Sequence, residues 1–206
     1  PLTHTLPRPG RTRAGRGVGR PRASCVPCPA EGNGSLPRTR KKLVVVANRG
    51  PYRATGSGQR KRLVRAAGGL VAALDPVLRK RGGLWVSAQD TDAPLVVEAP
   101  EDIGYDLAQV ELSRGVQESF YSGVSNAILW PLMHGFPPTV RIGEAPWDLY
   151  VAANEAFSKT TLAHSKPSDL IWLQDFHLML MPGMLRRRRR KARIGWFCHI
   201  PWPGPD

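Results

Sequence analysis

The chain has 206 residues, with 30 Lys and Arg against 16 Asp and Glu and a formal charge of +14. Residues 1–42 hold 10 basic residues and 1 acidic residue, residues 186–193 hold 7 basic residues and no acid, and the rest of the chain sums to −2. The sequence has no run of about 18 uncharged apolar residues, which excludes a membrane-spanning helix. Its three cysteines exclude a disulfide framework. We therefore expect a soluble, cytoplasmic protein with reduced thiols and one domain of ordinary size.

The first 42 residues differ in composition from the rest. They contain 7 Pro, 6 Gly and no aromatic residue, so they cannot bury enough surface to offset chain entropy, and we predict a disordered basic tail over residues 1–42. Cys25 and Cys28 have the spacing of half a zinc site, but no further ligands lie nearby, so we predict no metal there. Because the chain starts at Pro1 and stops at Asp206 inside a motif, we expect residues 43–206 to be a truncated domain.

The pattern after the tail predicts a strand, a loop and a helix. Residues 43–47 are a short continuous apolar run, which is typical of a strand buried on both faces of a parallel sheet. A loop rich in Gly and Arg is expected over residues 49–67. Gly68 and Gly69 then open a helical pattern with one apolar face and basic residues in its last turn, and Gly82 ends it.

Strands and helices alternate through the remaining residues. Strands are predicted at residues 84–87, 95–97, 109–112, 169–174 and 193–198, and helices at 114–130, 147–162 and 178–185, with breaks at Pro131 and at Pro137-Pro138. Alternating elements of this kind predict an α/β fold with a parallel sheet and flanking helices.

Ligands of open parallel sheets bind beyond the carboxyl ends of the strands, and this rule selects candidate residues. Asn48 and Arg49 follow the first strand, Asp175 and His177 follow the strand at 169–174, and His199 follows the last strand. Each has an alternative role, since an arginine is often a surface charge, an aspartate is a good helix cap and a lone histidine is often structural. We expect these side chains to converge on one crevice.

Glycines and aromatic residues add weaker signals. Gly68 and Gly69 at a helix start would offer free N–H groups to a phosphate, although glycine also serves tight turns. Trp85, Tyr121 and Trp130 flank polar residues where a sugar ring would stack, although aromatic side chains also fill cores. The motifs of P-loop nucleotide hydrolysis, of serine hydrolases and of standard dinucleotide binding are missing from the sequence.

Five ordered blocks resemble the N-terminal half of the trehalose-6-phosphate synthases. They are VVVANR (44–49), GGLV (68–71), YSGVSNAILWPL (121–132), WLQDFHLMLMP (172–182) and IGWFCHIPWP (194–203). The resemblance covers about residues 43–206 and implies the N-terminal half of a retaining glycosyltransferase of the B-type fold, in which two Rossmann-like domains face a cleft. Such enzymes move glucose from UDP-glucose to glucose 6-phosphate, giving trehalose 6-phosphate and UDP.

The resemblance also implies roles for individual residues. Arg49, Trp85, Tyr121, Trp130 and Asp175 would bind the acceptor, and Gly68, Gly69 and His199 would bind the donor. The implied mechanism is front-face, with the leaving phosphate helping to deprotonate the acceptor, so no residue is assigned as nucleophile. No metal or cofactor is expected, because the nucleotide sugar is a substrate.

Two departures bear on the acceptor side. Gly50 follows Arg49 where the family more often has a larger apolar residue, and residues 133–136 replace a stretch that is usually rich in aromatic residues. A sister enzyme with another phosphorylated acceptor, such as a glucosylglycerol-phosphate synthase, is therefore the alternative within the fold. The donor domain expected from the resemblance is missing, so we expect no transferase activity from these residues alone.

The basic run at 186–193 has a rival interpretation from a different class. We expect a solvated connector, because cations at a helix C-terminus complement its dipole. Nucleic-acid binding by this run and the tail is the alternative, but neither segment carries the interleaved aromatic residues typical of such sites. The sequence leaves open whether the protein is a homo-oligomer.

Overall fold

The computed structural model describes residues 41–55, 62–89, 103–136 and 146–204. The predicted tail up to residue 40, the strand predicted at 95–97 and the break predicted at Pro137-Pro138 lie outside the described residues.

Seven strands occur in the described ranges, and five of them form one parallel sheet. In chain order they are β1 (Leu43–Val46), β2 (Tyr52–Thr55), β3 (Arg62–Arg65), β4 (Leu84–Ala88), β5 (Asp106–Val110), β6 (Leu170–Gln174) and β7 (Arg193–Phe197). The sheet order is β5-β4-β1-β6-β7, and every neighbouring pair in it is parallel. The central strand β1 is buried on both faces, as its apolar run predicts. The predicted parallel sheet is confirmed.

Helices cover both faces of this sheet. They are α1 (Gly69–Arg81), α2 (Arg114–Glu118), a π-helical segment (Ser119–Leu129), α3 (Trp130–Met133), α4 (Trp147–Ala163) and α5 (Met181–Arg188). The helix predicted at 114–130 is therefore interrupted by wide π turns, and it continues beyond Pro131, which stands in the first turn of α3 where a missing N–H is tolerated. The helix predicted at 178–185 begins later, at Met181, after a 3₁₀ turn at Phe176–Leu178.

The loop predicted over residues 49–67 is wrong in part, because β2 and β3 form an antiparallel hairpin there. Short four-residue strands with charged residues carry no clear two-residue alternation, so the pattern is hard to recognise in the sequence. The strand predicted at 109–112 is likewise displaced, since β5 begins at Asp106 and ends at Val110.

The two faces of the sheet pack against different cores. Val44 and Val46 face a large cluster with Phe120, Tyr150 and Phe157 from the π segment and α4. The Tyr150 hydroxyl donates to the Phe176 carbonyl oxygen at 2.8 Å, and burial raises the pKa of Tyr150 to about 12. This hydrogen bond ties the turn after β6 to the helical layer.

The opposite face packs against α1, which carries a buried carboxylate. Asp75 is 2% exposed and accepts hydrogen bonds from the Tyr105 hydroxyl at 2.6 Å, from Arg65 Nε at 2.9 Å and from Arg79 Nε at 3.2 Å. Burial acts to raise the pKa of Asp75, but the hydrogen bonds from these three side chains outweigh it and hold the pKa below its usual value. Arg79 also bonds to the Tyr52 hydroxyl. The network joins the hairpin to α1.

Part of the basic run at 186–193 is structural. Arg189 donates from its guanidinium to the Leu162 carbonyl oxygen at 2.6 Å, to the Ser165 carbonyl oxygen at 2.8 Å and to Ser165 Oγ at 2.9 Å. These acceptors lie at the end of α4, where carbonyl groups have no partner within the helix. At least this arginine is therefore a helix cap. None of the described helices is long and apolar enough to cross a membrane.

Candidate active site

A cleft of about 580 Å³ opens at the carboxyl edge of the sheet, beyond β1, β4 and β5. Its walls come from the ends of these strands, from the hairpin, from the start of α1 and from the α2 and π region. The lining residues are Asn48, Arg49, Gly50, Tyr52, Arg53, Ala66, Ala67, Gly68, Gly69, Leu70, Val71, Ser87, Ala88, Gln89, Gln109, Gln117 and Tyr121. The cleft therefore forms where the strand-end rule predicts a ligand site.

Arg49 presents a cation to this cleft. Its Nη2 donates to the Tyr121 hydroxyl at 2.6 Å, and its guanidinium carbon lies 5.4 Å from the centroid of the Tyr121 ring. Within the described ranges no Asp or Glu forms an ion pair with Arg49. A planar guanidinium has more N–H donors than the hydrogen bond to Tyr121 uses, so it is suited to binding a phosphate or a carboxylate.

The start of α1 forms the rim of the cleft. Gly68 has a φ of 139°, which side chains rarely adopt, and its carbonyl oxygen accepts from Ala72 N at 3.0 Å to begin the helix. The first N–H groups of a helix have no intrahelical partner, and the helix dipole makes this end positive. Gly68 and Gly69 thus bring an electropositive backbone to the same cleft as Arg49.

The floor of the cleft is shaped by a missing side chain. A Cβ added at Gly50 would stand 2.8 Å from Ser87 Oγ, closer than real side chains approach. Ser87 Oγ therefore occupies the space that a larger side chain at residue 50 would need, which gives a physical reason for glycine at the position after Arg49. Gln89, Gln109 and Gln117 surround this floor with amide groups that suit hydroxyl-rich ligands.

Asp175 stands at the end of β6 in an unusual backbone conformation. Its φ is 72° with ψ 171°, and it is the one non-glycine residue with positive φ in the described ranges. Its N donates to the Phe197 carbonyl oxygen at 2.6 Å, and its Oδ1 accepts from Phe176 N at 2.9 Å and from His199 N at 3.2 Å. Such strain persists only where the surroundings fix it, and it concentrates at functional sites.

His199 is attached to this same turn. Its Nε2 lies 2.8 Å from Gln174 Oε1, and Gln174 is 2% exposed at the end of β6. Trp196 Nε1 donates to the Asp175 carbonyl oxygen at 3.0 Å. The structure thus brings Asp175 and His199 together at the β6 and β7 end of the carboxyl edge, but neither is among the residues that line the cleft with Arg49, so the single crevice expected from the sequence stays a prediction.

His177 joins the two ends of this edge. Its ring stacks on the Tyr121 ring with centroids 5.4 Å apart and planes 10° apart, and its Nδ1 lies 3.8 Å from Asp175 Oδ2. The pKa of His177 is lowered to about 4, chiefly by burial; the nearby Asp175 acts to raise it and the Arg49 cation acts to lower it. The imidazole is therefore neutral near pH 7.

Trp85 and Trp130 are not among the residues that line the cleft. Trp85 is 0% exposed and packs in the core beneath the cleft, with its Nε1 donating to the Arg49 carbonyl oxygen at 3.2 Å. The prediction that Trp85 lines the acceptor pocket is wrong, because a fully buried ring cannot contact a sugar. Trp130 is 42% exposed, stacks on His134 and is not among the residues that line the cleft.

Sequence reasoning also missed residues that the structure places in the site. Gln89 follows β4, so the strand-end rule would have selected it had the rule been applied to every strand. Gln109 lies near the carboxyl end of β5, but the strand predicted at 109–112 placed it at the amino end, so the rule would have missed it. Gln117 comes from α2, and nothing in its local pattern indicates the cleft. Among the described residues, no group of three His, Cys, Asp or Glu side chains is arranged to hold a metal ion.

The sheet is parallel with helices on both faces, and its carboxyl edge carries a cation and glycine amides near β1 and an aspartate and a histidine after β6 and β7. These features define an open α/β domain with a candidate ligand site at the carboxyl edge of its sheet. The sequence profile of Glycosyltransferase family 20 matches residues 41–206. The chain belongs to this family.

Curated relatives agree with this assignment. The chain is 40% identical over 170 residues to the trehalose-6-phosphate synthase of Mycolicibacterium vanbaalenii, a match that covers 78% of this chain and 34% of the relative. It is 36% identical over 171 residues to a UDP-forming alpha,alpha-trehalose-phosphate synthase of Dictyostelium discoideum, covering 80% of this chain and 23% of the relative. The chain thus spans about a third or less of the length of these relatives.

Solved structures show the same fold. An alpha,alpha-trehalose-phosphate synthase of Burkholderia vietnamiensis matches with a TM-score of 0.64 at 32% identity, over 81% of this chain and 36% of that chain. A Burkholderia xenovorans enzyme in complex with glucose-6-phosphate matches with a TM-score of 0.62 at 28% identity, over 79% and 34%. An E. coli structure bound with UDP-2-fluoro glucose matches with a TM-score of 0.63 at 31% identity, over 80% and 34%.

Proposed function

We propose that these residues form the acceptor side of an enzyme that transfers glucose from UDP-glucose to glucose 6-phosphate, giving trehalose 6-phosphate and UDP. The observation that carries the proposal is the Arg49 guanidinium, which faces a 580 Å³ cleft without a carboxylate partner in the described ranges. An unneutralised cation beside amide side chains fits a sugar phosphate, because the phosphate needs charge and the ring hydroxyls need hydrogen bonds.

The roles of the other residues follow from their positions. In this proposal Arg49 holds the acceptor phosphate, and Tyr121 orients the guanidinium through their 2.6 Å hydrogen bond. The Asp175 carboxylate, which is 22% exposed in its side chain, binds an acceptor hydroxyl. His199 contacts the transferred glucose, and the N–H groups at Gly68 and Gly69 meet the donor diphosphate. Trp130 remains proposed for the acceptor pocket, on the sequence resemblance alone.

Catalysis in this scheme comes from positioning and charge stabilisation. The transition state resembles an oxocarbenium ion, so holding acceptor and donor in line and stabilising the diphosphate leaving group supply large effects without a covalent nucleophile. Asp175 Oδ1 accepts two backbone N–H groups, which hold the carboxyl group in one orientation and suit a binding role rather than a nucleophilic one. No residue is therefore assigned as nucleophile.

The test measures acceptor binding by the chain itself. Calorimetric titration with glucose 6-phosphate, glycerol 3-phosphate and glucose compares the wild-type chain with Arg49→Ala and with Arg193→Ala, an exposed arginine at the amino end of β7. Because charge-assisted hydrogen bonds to phosphate contribute about 1.5 to 3 kcal/mol, we expect Arg49→Ala to weaken glucose 6-phosphate binding by about 10- to 100-fold. Arg193→Ala should bind like wild type.

The outcomes separate the candidate acceptors. Tighter binding of glycerol 3-phosphate than of glucose 6-phosphate would favour the sister enzyme with another phosphorylated acceptor. Equal binding of glucose and glucose 6-phosphate, or no effect of Arg49→Ala, would contradict the role of Arg49. The matching assay for transfer is UDP release from UDP-glucose and glucose 6-phosphate, and we expect none from these 206 residues alone.

The remaining predictions about the environment of the protein are proposals as well. A cytoplasmic location, independence from cofactors and an oligomeric state stay predictions. Nucleic-acid binding by the basic run is the less favoured function, since Arg189 is engaged in capping α4. Such binding would have a steep salt dependence that survives substitution of Asp175 and His199.

A further inference from the structure

The ring of His177 occupies the position between the two ends of the candidate site. Tyr121 covers one side of the imidazole with nearly parallel planes, and Phe176 stacks at 4.1 Å between centroids with planes 28° apart. Phe120 meets the same ring edge-on at 6.2 Å. The His177 side chain is only 12% exposed, and its Nε2 is buried without a hydrogen-bond partner in the structure.

This burial rules out direct contact between His177 and a ligand. An Nε2 atom with no exposed surface cannot bind a substrate hydroxyl, and 3.8 Å is too long for a good hydrogen bond from Nδ1 to Asp175. What remains is the face of the ring, which stacks on Tyr121, a residue that lines the cleft. Tyr121 in turn holds Arg49 by a hydrogen bond and by its ring.

The backbone around His177 is fixed as firmly as its ring. The His177 carbonyl oxygen accepts from Asn154 Nδ2 at 3.2 Å, and the preceding carbonyl, of Phe176, accepts from the Tyr150 hydroxyl at 2.8 Å. Asn154 and Tyr150 are both 0% exposed and belong to α4. The turn that carries the imidazole is therefore anchored to α4 by two buried hydrogen bonds.

The charge of the imidazole matters as well as its shape. Both Arg49 and His177 contact Tyr121, and the Arg49 cation lowers the pKa of His177, so a protonated ring would place a second cation near the first in a poorly solvated position. A neutral aromatic ring avoids this repulsion and still stacks. Histidine in its neutral form and phenylalanine are equivalent in this respect, whereas alanine removes the support.

We propose that His177 is a positioning residue: its neutral ring is the platform that holds Tyr121, and through Tyr121 the Arg49 guanidinium, in the geometry that receives the acceptor phosphate. The inference rests on the proposed function for the identity of the ligand, but the Arg49 geometry itself is a property of the chain without ligand. His177 links the turn after β6 to the Arg49 cation at the end of β1. The strands β1 and β6 are neighbours in the sheet.

The first experiment needs no ligand, so it is independent of the proposed function. NMR measures the exchange of the Arg49 guanidinium protons with solvent in wild type, His177→Ala and His177→Phe. The control truncation is Leu185→Ala, in the core cluster against which Tyr121 packs. Because an aromatic pair contributes about 0.5 to 1.5 kcal/mol, we expect exchange about 2- to 13-fold faster in His177→Ala. His177→Phe and Leu185→Ala should exchange at the wild-type rate. Equal rates in His177→Ala and wild type would overturn the inference, whatever the ligand.

The second experiment is a double-mutant cycle on binding of glucose 6-phosphate. His177→Ala should weaken binding about tenfold in the wild-type background and have no further effect in the Arg49→Ala background, because its action passes through Arg49. His177→Phe should restore binding to within about twofold of wild type. Equal losses in both backgrounds would show that His177 acts on the fold alone, which overturns the inference. Absence of binding by the wild-type chain would contradict the proposed function, and the exchange experiment then decides the inference.

Discussion

Asp75 and Asp175 are two carboxylates that each collect several hydrogen bonds, yet their surroundings are opposite. Asp75 lies in the middle of α1, is 2% exposed and is surrounded by side chains, two of them arginines. Asp175 lies at the end of β6, is partly exposed, and is held mainly by backbone groups in a conformation with φ 72°. The first region has a relaxed backbone and a satisfied charge, whereas the second stores backbone strain beside open space. The comparison favours a stabilising role for Asp75 and agrees with the ligand-binding role proposed for Asp175.

The largest effect is expected at Asp75. Asp75→Ala removes the buried acceptor of hydrogen bonds from Tyr105, Arg65 and Arg79. Hydrogen bonds to a charged group contribute about 1.5 to 3 kcal/mol each, less where the donor is exposed as these arginines are, so we expect the free energy of unfolding to fall by about 4 kcal/mol. Urea unfolding at pH 7 measures the change. The control is Asp106→Ala, whose carboxylate is 69% exposed and pairs with Lys42, and which we expect to lose less than about 1 kcal/mol. Equal losses in the two variants would contradict a stabilising role for the Asp75 network.

The next effect is a pH dependence at His177. The pKa falls from the ordinary 6.5 to about 4 in the folded state, so the unfolded chain binds the proton more readily between these values. The contribution of the neutral imidazole to the free energy of unfolding is therefore complete above about pH 6.5. It is lost as the pH falls toward 4, by about 3 kcal/mol in all.

The measurement is urea unfolding from pH 7 to pH 4 on wild type and His177→Phe, which has no imidazole to titrate. Both proteins share the acid titration of carboxylates, including Asp75, so the difference between their curves isolates His177. Parallel curves for the two proteins would contradict the low pKa of His177.

The smallest effect separates strain from hydrogen bonding at Asp175. Asp175→Ala and Asp175→Gly both lose the carboxylate, but only glycine adopts this backbone conformation readily, so we expect Asp175→Gly to be more stable than Asp175→Ala by about 1 kcal/mol. The matched pair is Glu155→Ala and Glu155→Gly in the middle of α4, where the order should reverse by about 1 kcal/mol. Thermal unfolding of the four variants gives both differences. The same order at both sites would remove the case for strain at Asp175.

The sequence allowed much of the fold to be predicted. Apolar runs at β1 and β6, and the glycines around α1, produce the expected elements because burial on both faces and helix termini leave local signals. The hairpin at residues 52–65 and the π turns at 119–129 were not predicted. Both depend on contacts with other parts of the chain, the hairpin through Arg65 and Asp75 and the π turns through Phe120 in the core.

The sequence also predicted the positions of some residues of the candidate site but not of others. Arg49, Tyr121 and the two glycines lie at the cleft, and Asp175 and His199 share a turn, because the carboxyl ends of parallel strands meet at one edge. Trp85 was misplaced. It lies on a strand whose residues are buried on both faces, so alternation along β4 does not reveal which aromatic side chains reach a ligand.

The sequence by itself therefore determined the alternation of strands and helices, the family, and which strand ends carry polar groups, because these depend on local pattern and on residue order. Only the tertiary structure decided that Trp85 lies inside the core, that Gly50 makes room for Ser87, and that His177 stands between Tyr121 and Asp175. The reason is that β1 and β6 are neighbours in the sheet although more than a hundred residues separate them, and no local pattern encodes that pairing.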